Sequence, residues 1–121
     1  MKKILSKSFT FEAAHNLLNT LDKKNQNIHG HSFFVEIYLE EIDNSITKKG
    51  YIVDFKLFNK KIIKVKNILD HSYLNNIPGL ENPTLENIGL WIWERLVKEN
   101  KNLYKLVIKR KSCNESFQII K

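Results

Sequence analysis

Two histidines set two residues apart, in Ile28-His29-Gly30-His31-Ser32-Phe33, and a third, His15, closing Phe9-Thr10-Phe11-Glu12-Ala13-Ala14-His15, are the residues of this chain best suited to chemistry. In an extended strand residues two apart point to the same face, so His29 and His31 share a face, as do Phe9, Phe11, Ala13 and His15. If the two segments are neighbouring strands, three imidazoles converge at the end of a sheet. Three neutral imidazoles with a fourth position left open are the ligand set of a catalytic zinc ion, at Zn–N distances of roughly 2.0–2.1 Å. One histidine alone would read as a surface or satisfied core residue. The same-face pair with a third at the end of an adjacent strand reads as a metal site.

These side chains must be positioned by a small scaffold. Residues 7–15 and 31–39 alternate as strands, with His31, Phe33, Val35, Ile37 and Leu39 on one face of the second. The connection 16–28 is too long for a tight hairpin and too polar for a core, and loops hung from a metal site are where catalytic groups are expected. After a second polar connection, 41–50, Asp54 is a good helix N-cap, and Phe55, Phe58, Ile62, Val65 and Leu69 recur at helical spacing. A connection containing Asp70-His71 and the Ile77-Pro78-Gly79 turn leads to a second helix. Its N-cap is Thr84, Glu86 favours the dipole in its first turn, and Leu85, Ile88, Trp91, Ile92 and Leu96 form its apolar stripe. Strands over 103–111 and 116–120 complete a ββααββ order. That order predicts an α+β domain over residues 1–121, with both helices on one face of an antiparallel sheet. Four strands leave two edges to cover or pair, which makes assembly into an oligomeric barrel the expectation.

Composition narrows the classes. The chain has 121 residues, 42% of them hydrophobic, enough for one domain with a modest core. It has no apolar run of about 18 residues to cross a membrane and no signal-peptide h-region. The single cysteine, Cys113, allows no internal disulfide and fits a reducing cytoplasm. The net charge of +7 invites a nucleic-acid reading, but only two of the twenty basic residues are arginine, and lysines on solvated faces need no partner. Nucleic-acid binding is therefore not expected.

The segments Phe9-Thr10-Phe11-Glu12-Ala13-Ala14-His15, His29-Gly30-His31-Ser32-Phe33, Val53-Asp54-Phe55, Leu69-Asp70-His71-Ser72-Tyr73-Leu74-Asn75 and Pro78-Gly79-Leu80-Glu81-Asn82-Pro83-Thr84-Leu85-Glu86-Asn87 resemble, in order and over nearly the whole chain, the 6-pyruvoyl-tetrahydropterin synthase family. Within it they are most similar to the bacterial 6-carboxytetrahydropterin synthases of queuosine biosynthesis. The resemblance implies the tunnelling fold (T-fold), whose subunits join sheets into barrels and commonly form hexamers. It implies zinc on His15, His29 and His31, and as substrate 7,8-dihydroneopterin triphosphate, which loses triphosphate and acetaldehyde to leave a 6-carboxy pterin. It implies a catalytic role for His71 backed by Asp70, a pair that would otherwise read as a helix C-terminal cap. It also implies a substrate site that takes in Thr84, Glu86 and the third-strand position of a pterin-anchoring glutamate. Taken alone, the residues agree with such chemistry: a metal-bound oxygen acidifies the neighbouring C–H, and an imidazole can take the proton near neutral pH.

Two positions depart from the family pattern. The catalytic cysteine expected four residues before His29 is Asn25, which has no titratable proton acceptor near pH 7, and the only acid in that loop is Asp22. The anchoring glutamate is replaced by Lys111 or, on an ungapped count, by Arg110. Either cation offers donors to a pterin edge that itself presents donors, and Glu115 could substitute only through a register shift. Three readings stay open: the family reaction with a rearranged base, another reaction on a related phosphorylated substrate, or a zinc-dependent binding subunit without catalysis.

Overall fold

The alternation of the first forty residues builds the centre of the sheet. In the computed structural model, which describes residues 1–121, β1 (Ile4–His15) and β2 (His29–Glu40) pair antiparallel over their full lengths, from Ile4 opposite Glu40 to His15 opposite His29. Phe9, Phe11 and Ala13 from β1 and Phe33, Val35, Ile37 and Leu39 from β2 are buried on one face. Both strands begin earlier than their side-chain patterns suggest, because backbone pairing continues past the apolar stretch of each.

The expected four-stranded antiparallel sheet has a fifth strand and is mixed. β3 (Ser72–Tyr73) runs parallel to β1, β4 (Leu103–Arg110) antiparallel to β2, and β5 (Glu115–Ile120) antiparallel to β4, in the order β3-β1-β2-β4-β5. Two residues are too few to display a period of two, so β3 leaves no pattern in the sequence. The free edge of β1 creates it. The backbone N–H of His71 donates to the Glu12 carbonyl at 2.6 Å, and the Asp70 carboxylate accepts from the Glu12 N–H at 2.8 Å.

Four helices complete the chain. The loops predicted over 16–28 and 41–50 each contain a short helix, α1 (Lys23–Gln26) and α2 (Ser45–Lys49). α3 (Phe55–Leu69) starts at Asp54, whose carboxylate accepts from Lys56 N–H at 2.8 Å, and it buries Phe58, Ile62, Val65 and Leu69. α4 (Leu85–Val97) starts at Thr84, whose hydroxyl oxygen accepts from Asn87 N–H at 3.1 Å, and it buries Leu85, Ile88, Trp91, Ile92 and Leu96. These N-caps each satisfy one of the first-turn amides that a helix leaves unpaired. Both long helices share one hydrophobic cluster with the inward residues of β1, β2 and β4, so both cover the same sheet face. Close approach of α4 to β5 depends on Gly89, where a Cβ would come within 2.9 Å of the Phe117 ring. No helix is long and apolar enough to cross a membrane.

Candidate metal centre

The three histidines meet at the end of the helix-covered face. The β1–β2 register sets His15 directly opposite His29 and Ala13 opposite His31, so all three continue the inward alternation of Phe11 and Phe33. One ring nitrogen from each of His15, His29 and His31 lies within 4.8 Å of the others. Phe33 floors the cluster, its ring edge-on to His15 and His31 at centroid distances of 5.8 and 5.7 Å and stacked on Phe11 at 4.8 Å.

Backbone carbonyls orient two of the rings. His15 Nδ1 lies 2.9 Å from the Pro83 carbonyl oxygen, and His29 Nδ1 lies 2.8 Å from that of Asn27. A carbonyl only accepts, so each Nδ1 carries the proton and each Nε2 presents a lone pair. The Nε2 atoms of His15 and His29 are buried without a hydrogen-bond partner. Burial of such acceptors costs free energy unless something binds them. Burial pushes the His15 imidazole down to about 4, helped by the charges of His29, His31 and Arg110 and opposed by the Pro83 carbonyl. Burial, then Arg110 and His29, lower His31 as well. His15 and His31 are thus neutral near pH 7, the form in which imidazole binds metal. Orphaned lone pairs, carbonyl-fixed tautomers and neutral rings together fit a zinc ion.

The other residues singled out in the sequence fall around this centre unevenly. Asn25 sits in α1, where its carbonyl accepts from Leu17 N–H at 2.7 Å and so pins the loop beside His15. Asp22 caps that same turn, accepting from Lys24 N–H at 2.9 Å. Thr84 uses its hydroxyl as the α4 cap, next to the Pro83 carbonyl that holds His15, while Glu86 is exposed in the first turn. Asp70 and His71 do pair, Oδ2 to Nδ1 at 3.1 Å. The Asp70 carboxyl is held below its ordinary range, first by the Glu12 N–H and then by His71.

His71 nonetheless does not join the triad. It lines a cleft of about 490 Å³ with Glu12, Ala14, Gly30 and Ser32, the positions that alternate away from the three histidines, and Ala13 and His31 also border that cleft. Across that cleft the Ser32 hydroxyl donates to Glu12 at 2.6 Å. Of the two cations at the family's glutamate position, Arg110 continues the inward alternation of Leu106 and Ile108 toward the triad. Lys111 begins a 3₁₀ turn and lays its ammonium over the Phe34 ring at 4.2 Å, on the other face of the sheet. The alternation Leu106, Ile108, Arg110 was the signal that could have made this choice from sequence. Nothing local marks the Pro83 and Asn27 carbonyls.

Comparison with known proteins extends the match beyond the site. The family model described as 6-pyruvoyl tetrahydropterin synthase matches residues 4–118. The 6-carboxy-5,6,7,8-tetrahydropterin synthase of Synechocystis sp. is 40% identical over 96 residues, 77% of this chain and 74% of that protein. The dihydroneopterin monophosphate aldolase of Pyrococcus furiosus is 42% identical over 90 residues, 74% of this chain and 70% of that protein. The structure of Caenorhabditis elegans 6-pyruvoyl tetrahydropterin synthase superposes with a TM-score of 0.81 at 24% identity, covering 100% of this chain and 96% of the other, which shows a shared T-fold. A sequence match that begins in β1 and ends in β5, carried on the same fold, makes this chain a member of the 6-pyruvoyl tetrahydropterin synthase family.

Proposed function

We propose that this chain is a zinc enzyme that cleaves the side chain of a phosphorylated dihydropterin, as a 6-carboxytetrahydropterin synthase acting on 7,8-dihydroneopterin triphosphate in queuosine biosynthesis. The observation that carries this reading is the pair of buried, unpartnered Nε2 atoms of His15 and His29, gathered with a His31 nitrogen within 4.8 Å. Bound zinc would supply Lewis acidity, making the proton beside a coordinated side-chain oxygen easier to remove. The chain's own residues do the rest. The Pro83 and Asn27 carbonyls keep two ligands in the metal-binding tautomer, and Phe33 keeps water from beneath them.

His71 takes the proton, and Asp70 fixes its tautomer and stabilises the imidazolium. His71 lies beside Glu12 and Ser32 rather than among the three gathered ring nitrogens, and in this reading it serves the triad of a neighbouring copy. That arrangement fits the barrel assembly, a hexamer by the family resemblance, and the single cysteine supports a cytoplasmic enzyme.

A second reading, aldol cleavage of dihydroneopterin monophosphate, is favoured by Asn25 at the cysteine position and by the Pyrococcus furiosus relative. Aldol cleavage begins by removing a hydroxyl proton, for which an imidazole suffices without a thiolate. Mass spectrometry of the zinc-loaded protein with each phosphate tests both. A 6-carboxy pterin from the triphosphate supports the first reading, and a 6-hydroxymethyl pterin from the monophosphate the second. Unchanged substrates with one zinc per chain would leave a binding subunit.

A further inference from the structure

Arg110 lies where the family resemblance leads one to expect a carboxylate, and its surroundings are those of a group waiting for an acceptor. It follows Leu106 and Ile108 on the inward face of β4, and Phe34 pairs with Lys109. The same register carried one residue on sets Arg110 beside Phe33, the ring that floors the triad. Its side chain is only 11% exposed. Its one side-chain hydrogen bond runs from Nη2 to Glu115 Oε2 at 3.1 Å, across the β4–β5 pair that the two residues form. The Nε atom is buried with no partner. A guanidinium has five donors and no acceptor, and a buried unmatched N–H costs free energy that a ligand oxygen would recover.

Charge points the same way. Arg110 lies close enough to His15 and His31 for its field to disfavour a second cation on either ring. Glu115 is half-exposed and neutralises one positive charge at most. A divalent ion on three neutral imidazoles would leave the neighbourhood with an excess of positive charge, which a ligand oxyanion would balance. The planar fork of arginine matches carboxylate and phosphate oxygens better than a pterin amino edge, which also presents donors.

We propose that Arg110 is an oxyanion-binding, specificity-determining residue of this site, taking a carboxylate or phosphate oxygen of the ligand in competition with the Glu115 carboxylate. The proposal rests on the reading of the triad as the centre of a ligand site.

Calorimetric titration of the zinc-loaded chain with inorganic phosphate and with acetate tests it, with bound zinc counted in parallel. Arg110→Gln is expected to weaken binding about tenfold with zinc content unchanged. Loss confined to phosphate assigns the oxyanion to a phosphoryl group, and loss of acetate binding assigns it to a carboxylate. Glu115→Gln, which removes the internal competitor, is expected to tighten binding a few-fold, and it carries the test if Arg110→Gln does not fold. Lys105→Gln, on the far face of β4, controls for net charge and is expected to bind like wild type. Equal affinity in Arg110→Gln and wild type, or no binding of either anion by wild type at millimolar concentration, overturns the proposal. So does Glu115→Gln weakening binding. A wild-type chain that takes up no zinc but binds phosphate through Arg110 would instead overturn the zinc reading and leave this one standing.

Discussion

His15 Nδ1 and the Pro83 carbonyl oxygen, 68 residues apart in sequence, lie 2.9 Å apart in the interior. This contact ties the last residue of β1 to the residue just before the Thr84 cap of α4, so the start of that helix and the orientation of a metal ligand are set together. Outer hydrogen bonds of this kind fix the ligand tautomer and raise its basicity.

Removing a ligand should separate metal binding from folding. His29 is at the strand end and only half-buried, so His29→Ala is expected to abolish stoichiometric zinc uptake while leaving the metal-free chain folded. Zinc content after gel filtration, read beside the circular dichroism spectrum, checks this.

Acid should destabilise the metal-free protein in a defined window. His15 resists protonation in the fold until about pH 4, against an ordinary value of 6.5. Between these values the unfolded chain binds more protons than the folded one, so stability falls as pH drops from 6.5 to 4 and is unaffected by this group above 6.5. The loss is on the order of 3 kcal/mol. Urea unfolding at pH 7 and pH 4.5 measures it, and His15→Gln should show a shallower decline.

Phe33 is fully buried between the triad and the Phe11 ring. Phe33→Ala should cost about 3–5 kcal/mol and loosen the ligands above it. Thermal unfolding reads the first effect. A zinc affinity that falls in the folded variant reads the second, and an unchanged affinity would show that the floor does not position the histidines.

If one copy's His71 serves another copy's triad, two inactive variants should rescue each other. His71→Ala should lower kcat by on the order of 10²-fold with zinc retained, and His29→Ala should abolish turnover. Co-refolded mixtures of the two should regain part of the wild-type rate. Mixed oligomers without any recovery would put the proton acceptor in the same chain as the metal.

The sequence by itself determined whatever depends on local period and side-chain reach. Strand alternation in β1 and β2, the caps at Asp54 and Thr84, the apolar stripes of α3 and α4 and the shared face of His29 and His31 follow from spacing, whereas His15 joins that pair only through the β1–β2 register. A period of two or 3.6 fixes which residues share a face whatever lies opposite. Tertiary structure alone decided what depends on the neighbour. β3 exists because β1 had a free edge for Asp70 and His71 to bind. The Pro83 carbonyl orients His15 because the start of α4 packs against the end of β1. His71 lies beside Glu12 and Ser32, outside the cluster of three histidine nitrogens, because β3 pairs with the free edge of β1. No spacing rule encodes these relationships, since each joins segments tens of residues apart.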